Sequence, residues 1–120
     1  MTAGLQRQRA EARGREAERE AEEWLGAQGW TILDRRRKTK AGEIDLIARQ
    51  PGLVAFIEVK WRRRASELAF AIDERRLSRV AAAVEAVGHE YVQDGDDLRI
   101  DVILLAPGVT PDHITNAWQP

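Results

Sequence analysis

Cysteine is absent from this chain, and its absence excludes disulfides, thiolate metal sites and cysteine nucleophiles. A chain without disulfides must fold on its core alone, which suits a reducing compartment. Long apolar runs are missing as well. No stretch approaches the ~20 residues that span a bilayer, and the opening MTAGLQRQRAEARGREAEREAEEWL has no apolar segment of the secretory kind. The expectation is a cytoplasmic protein with no membrane partner. The two histidines, His89 and His113, are not at metal-ligand spacing and read as non-catalytic. An excess of one charge is also lacking: 19 Lys and Arg stand against 20 Asp and Glu, for a net charge of −1. The global basic signature of many nucleic-acid binders is therefore missing.

What is present is charge unevenly spread. Basic residues gather at Arg35, Arg36, Arg37, Lys38 and Lys40, at Arg62, Arg63 and Arg64, and at Arg75, Arg76 and Arg79; acidic residues gather in the first 30 positions and around Glu90 to Asp97. A molecule segregated this way can hold phosphates on one face while staying near neutral overall. Solvated loops account for any single arginine run equally well. The 120 residues suffice for one domain and not two, so 1–120 is expected to be one unit, with 1–13 as flexible chain or frayed helix.

Periodicity predicts a helix from about Ala3 to Gln28, interrupted or frayed near Gly14, with Ala17, Ala21, Trp24 and Leu25 towards the core and Gly29 ending it. Trp30 to Asp34 reads as a short strand, and Arg35 to Ala41 as a basic loop. Glu43 to Arg49 and Leu53 to Lys60 read as two strands around the turn signal Pro51-Gly52, with a connection longer than two residues because Pro-Gly is not a favoured hairpin pair. After a mixed loop from Trp61 to Ala71, Asp73 is a plausible N-cap for a helix reaching Tyr91, with Leu77, Val80, Ala81, Val84 and Val87 as its apolar stripe. Leu98 to Ala106 is an apolar strand, and His113 to Trp118 a candidate final edge strand. The order α-β-β-β-α-β, with a further β, predicts an α/β sandwich: a mixed central sheet flanked by helices.

The central hairpin carries charges where a sheet gains nothing from them. Alternation places Glu43, Asp45 and Ile47 on one face of the first strand, with Ile44, Leu46 and Ala48 on the other; Phe56, Glu58 and Lys60 share a face of the second. A hairpin centred on Pro51-Gly52 sets Asp45 opposite Glu58 and Glu43 opposite Lys60, at roughly 4.5–5.5 Å between Cβ atoms. Two carboxylates so placed repel unless a cation lies between them, and Mg²⁺ is typically held by one or two carboxylates plus water and phosphate oxygens. A lysine beside them supplies positive charge or a proton acceptor. An incidental charge pair on a solvated face is the competing account, and a one-residue slip would separate the groups. Glu18 lies seven residues before Leu25 and so borders the core-facing stripe of the first helix, within reach of a metal, a metal-bound water or an arginine. Asp101 alternates onto the face of Arg99 and suits a buried partner for an arginine better than a metal ligand.

These residues form a pattern. Gly42-Glu-Ile-Asp-Leu-Ile-Ala48 followed by Phe56-Ile-Glu-Val-Lys60-Trp-Arg62 closely resembles the bacterial YraN family, itself similar to archaeal Holliday-junction resolvases and to the PD-(D/E)xK nuclease superfamily. Gly14-Arg-Glu-Ala-Glu18-Arg-Glu-Ala21-Glu-Glu-Trp24-Leu25 resembles the family's helical opening, Arg76 and Arg79 a K-x-x-R pair, and Arg99-Ile-Asp101-Val a closing strand. The resemblance implies a restriction-endonuclease-like fold. It implies Asp45 and Glu58 as ligands of Mg²⁺ or Mn²⁺, the Val59 carbonyl as a further ligand, Lys60 as the superfamily lysine and Glu18 as the helix glutamate. The expected activity is a metal-dependent endonuclease on DNA, branched or otherwise structured, with Arg35, Arg36, Arg37, Lys38, Lys40, Arg62, Arg63, Arg64, Arg76 and Arg79 gripping the backbone. Junction cutting takes two copies of a site, which leaves a homodimer open. An adaptor that keeps the fold without turnover, binding nucleic acid or protein, is the alternative. The chain departs from the family pattern at Ala17 (usually glycine), Arg36 (usually asparagine) and Arg76 (usually lysine); none of these is in the Asp45–Glu58–Lys60 set.

Overall fold

The structure, a computed structural model, describes residues 2–118. Helix α1 (Ala3–Ala27) is followed by strands β1 (Thr31–Lys38), β2 (Glu43–Gln50) and β3 (Leu53–Trp61), a 3₁₀ turn at Ala65–Phe70, helix α2 (Glu74–Val87), a second 3₁₀ turn at Gly88–Glu90, and strands β4 (Asp97–Leu105) and β5 (Asp112–Ile114). The five strands lie in one sheet in chain order. Neighbours are antiparallel except β3 and β4, which run parallel from Leu53↔Asp97 to Trp61↔Leu105. Parallel neighbours need a crossover connection, and α2 supplies it. The expected α/β sandwich with a mixed sheet is what forms.

Helices cover both faces. Ile47, Val54, Phe56 and Val102 pack with Leu77, Val80, Val84 and Val87 of α2. Leu46, Ala48, Ala55, Ile57, Ile103 and Leu105 pack with Ala17, Ala21 and Leu25 of α1 and with Trp30. β2 and β3 are thus buried on two sides, which is why they read as near-continuous apolar runs. Asp73 caps α2 as expected, its carboxylate accepting from the Arg75 and Arg76 amides at 2.9 and 3.4 Å.

Several expectations are corrected. α1 runs unbroken through Gly14: one glycine costs only ~1 kcal/mol against alanine, and Ala, Glu, Arg and Gln around it favour helix. The run Arg35 to Lys38 is strand, not loop, pairing as far as Lys38↔Glu43; as an edge strand β1 can present charged side chains to solvent. Thr39 to Gly42 then closes a tight turn in which the Thr39 hydroxyl accepts from the Ala41 and Gly42 amides. Pro51-Gly52 is a two-residue turn after all, with Gln50↔Leu53 paired and Gly52 at φ 75, the left-handed conformation that a type II turn requires at that position. The second α-helix stops at Val87 and continues only as a 3₁₀ turn, and the last strand begins at Asp112 and ends at Ile114.

Candidate metal and nucleic-acid site

Asp45 and Glu58 come from the middle of the sheet, and both are buried. The register expected from the turn is followed from Gln50↔Leu53 to Leu46↔Ile57, and the ladder ends there. The expected cross-strand pairs Asp45–Glu58 and Glu43–Lys60 are therefore not formed. The backbone amide of Val59 instead donates to Asp45 Oδ2 at 2.8 Å, so a side chain replaces a main-chain acceptor where the strands part. Glu43 pairs with Lys38 on the other side. Ile44 packs in the same cluster as Ile47, three residues on, so strict alternation fails around Asp45 and the expected grouping of Ile44 with Leu46 does not hold.

The two carboxylates remain electrostatic neighbours. Burial first, then the charge of Glu58, pushes the Asp45 carboxyl up to about 7, with Glu18 adding to the rise against the pull of the Val59 amide and Arg76. Glu58 is 1% exposed. Its Oε1 takes the Arg76 Nε hydrogen bond at 3.0 Å and lies 3.6 Å from Lys60 Nζ. Its Oε2 is buried with no hydrogen-bond partner. An orphaned carboxylate oxygen beside a second buried carboxyl is costly, and this makes the pair a candidate functional site. Among the described residues no group of three or more His, Asp or Glu is gathered as a ready metal cage; the pair is two carboxylates with a third, Glu18, acting on it through space. The donor set suits a hard divalent cation that keeps waters and takes substrate oxygens.

Gly42 fixes the geometry between the sheet and α2. A Cβ added there would lie 2.8 Å from the Arg79 carbonyl oxygen, so only glycine lets the start of β2 approach the helix this closely. A small cavity of about 120 Å³ lies at this contact, lined by Gly42, Glu43, Arg76, Arg79 and Val80.

The basic residues divide into two groups. Arg35 pairs with Glu22, Arg36 with Glu18 at 2.8 Å, and Arg37 with Glu90 at 2.8 Å. Arg36 has φ 48, a left-handed conformation uncommon outside glycine and asparagine. That break in alternation explains how two consecutive arginines both meet α1 while Arg37 reaches across to Glu90 and Tyr91. Arg62 donates to the Trp61 carbonyl. Among the described residues, Lys38, Lys40, Arg63, Arg64 and Arg79 make no salt bridge. The arginine among the partners expected for Glu18 is Arg36.

Asp101 is a salt-bridge partner, as its place beside Arg99 suggests. It is fully buried and accepts two hydrogen bonds from Arg99 at 2.8 Å, one contact from His113 Nε2 at 2.7 Å and the Asn116 amide at 2.9 Å. His113 also meets the rings of Trp24 and Trp30, so this cluster ties β5 to β4 on the α1 side. Two site contacts escape sequence reasoning. The pairing of Arg76 with Glu58 depends on how α2 crosses the sheet, and the approach of Gly42 to α2 carries no local signal beyond the glycine itself.

A model described as Uncharacterised protein family UPF0102 matches residues 17–105, a span that contains Glu18, Asp45, Glu58, Lys60 and Arg76. A UPF0102 protein of Erythrobacter litoralis (strain HTCC2594) is 64% identical over 116 residues, covering 97% of this chain and all of the relative. One from Sphingopyxis alaskensis (strain DSM 13593 / LMG 18877 / RB2256) is 53% identical over 116 residues, with 97% of this chain and all of the relative covered. A third, from Rhizorhabdus wittichii (strain DSM 6014 / CCUG 31198 / JCM 15750 / NBRC 105917 / EY 4224 / RW1), is 51% identical over 110 residues, 92% of this chain and 93% of the relative.

Proposed function

We propose that this chain, which belongs to the uncharacterised protein family UPF0102, is a divalent-metal-dependent endonuclease that hydrolyses DNA phosphodiesters. The observation that carries the reading is the buried Glu58 Oε2 without a hydrogen-bond partner, next to an Asp45 carboxyl pushed up to about 7. Removing one charge would relieve both problems, yet the chain has both carboxylates, and a cation is the simplest group that satisfies them together.

Asp45 and Glu58 would hold Mg²⁺ or Mn²⁺, with the Val59 carbonyl as a further ligand. The ion would supply Lewis acidity at a phosphate oxygen and lower the pKa of bound water. Lys60, already at the edge of Glu58, would orient the attacking water, accept its proton or steady charge developing on the phosphate. Glu18 would hold Arg36 at the rim. Lys38, Lys40, Arg63, Arg64 and Arg79 would contact the backbone without reading sequence. The resemblance of the hairpin motif to the YraN family, and through that family to archaeal Holliday-junction resolvases, would direct the choice of substrate towards branched DNA, which two copies of the chain would cut in concert.

A second reading, a binding adaptor without turnover, is favoured by one observation: Glu58 is already neutralised by Arg76 and Lys60. Calorimetric titration of Mg²⁺ and Mn²⁺ into wild type and Asp45→Ala, with a cleavage panel of linear, flap and junction DNA run on wild type, Glu58→Ala and Lys60→Ala, separates them. The endonuclease binds metal through Asp45 and cuts only with metal present. DNA binding without cleavage under any divalent ion leaves the adaptor.

A further inference from the structure

By its place directly after Lys60, Trp61 could stack on a base or wedge a junction, but packing suits it better. In the structure Trp61 is half-buried against the α1-side core, with the Arg13 guanidinium 5.6 Å from its ring centre. Another aromatic is free. Phe70, at the end of the first 3₁₀ turn, is 88% exposed, the most exposed large hydrophobic side chain among the described residues.

Phe70 is not at a loose end of chain. Leu68 packs against the α2-side core, Ala71 is buried, and the Ala71 amide donates to the Leu68 carbonyl at 3.1 Å. Anchors on both sides hold the ring out in water, where a phenylalanine forgoes the stabilisation of burial. The segment also begins and ends at one carboxylate: Lys60, at its start, and Arg76, just past its end, both meet Glu58 Oε1. Residues 61–75 therefore form an excursion that leaves and returns at the candidate site, and Phe70 is carried on it. Arg63 and Arg64 on the same excursion are exposed and make no salt bridge among the described residues. Of the nearby acids, Asp73 is occupied by the Arg75 and Arg76 amides, which leaves Glu67 and Glu74 exposed.

We infer that Phe70 stacks on a nucleic-acid base that is not in a duplex stack, while Arg63 and Arg64 hold neighbouring phosphates. An aromatic platform with unpaired cations on the same segment is the arrangement by which proteins hold single strands, because every base offers a flat face and every phosphate a charge. The inference rests on the nuclease reading and narrows it: the substrate has an unpaired base, as at a branch, flap or gap. An apolar protein partner would account for the ring but not for the cations or the link to the site.

The test is fluorescence anisotropy on the full chain in EDTA, with a labelled oligothymidylate and a blunt duplex of equal length. Wild type is expected to prefer the single strand. Phe70→Ala should weaken that binding by about five- to a hundredfold, the range for loss of one stacked base, while leaving the salt dependence and duplex affinity unchanged; Phe70→Tyr should restore it. Arg63→Ala with Arg64→Ala should instead weaken both ligands and flatten the salt dependence. Single-strand affinity unaltered in Phe70→Ala overturns the inference. So does a Phe70→Ala variant whose only change is a sedimenting dimer turned monomer, since Phe70 is then a contact between copies. Metal-dependent cleavage with unaltered binding by Phe70→Ala defeats this inference alone. Phe70-dependent binding without cleavage under any divalent ion defeats the endonuclease reading alone.

Discussion

Arg76 Nε lies 3.0 Å from Glu58 Oε1, bringing the first turn of α2 onto a carboxylate at the centre of the sheet while the second oxygen of that carboxylate stays unpartnered. The contact joins two segments that the sequence keeps apart. Arg76 also draws the Asp45 carboxyl down against burial and Glu58, so it steadies both acids.

Arg76→Ala is expected to destabilise the chain by about 1–2 kcal/mol at pH 7, because Glu58 then keeps only Lys60 near it. Glu58→Gln removes the charge that Arg76 balances, so the double variant should lose less than the sum of the two singles. Urea titrations of all four proteins give the coupling, and strict additivity would show that the contact carries no energy.

Asp45→Asn should stabilise the metal-free chain at pH 8, by on the order of 2 kcal/mol. The Asp45 carboxyl stands at about 7 in the folded state against about 4 unfolded. Between those values the folded chain binds a proton that the unfolded chain has released, so stability falls as pH rises from about 4 to 7 and is level above. Asparagine keeps an acceptor for the Val59 amide and removes the charge. The gain should disappear near pH 4, and an equal loss at both pH values would count against a strained carboxyl.

Gly42→Ala should cost about 1–3 kcal/mol, since the new methyl would press on the Arg79 carbonyl oxygen at 2.8 Å and neither backbone can yield cheaply. Thermal unfolding reads the loss. A melting temperature equal to wild type would mean that β2 and α2 slide apart freely.

Asp101 has the opposite sign of pH dependence. Burial alone would raise its carboxyl, but hydrogen bonds from His113, Arg99 and the Asn116 amide outweigh burial and hold it below the usual carboxylate range. Its contribution is therefore complete above the unfolded value of about 4 and is lost as pH falls through the lower folded value. Asp101→Asn should be less stable than wild type at pH 7, and the gap should narrow below pH 4 in denaturant titrations at stepped pH. A gap that stays constant with pH would assign the loss to packing.

The central hairpin shows how far local rules carried. Pro51-Gly52 set its register, and alternation correctly put Leu46 and Ile57 on one face and Ile47 and Phe56 on the other. The same rules failed at the next residue, Asp45, because the end of a ladder depends on where strands diverge over the whole sheet. The arginine run shows a second limit. Arg35 to Lys38 has loop composition, yet pairing with β2 and the glutamates of α1 made it a strand, with Arg36 in a conformation that no propensity favours for arginine.

The sequence by itself determined most of the elements, the Asp73 cap, the centre of the hairpin and family membership, because these follow from periods of 2 and 3.6 residues and from contiguous motifs. Apart from Arg99 and Asp101, the tertiary structure alone decided which charges meet. Ion pairs such as Arg36–Glu18, Arg37–Glu90 and Arg76–Glu58 depend on how helices are placed over the sheet. That placement is set by core packing summed over many side chains, and no short stretch of sequence records it.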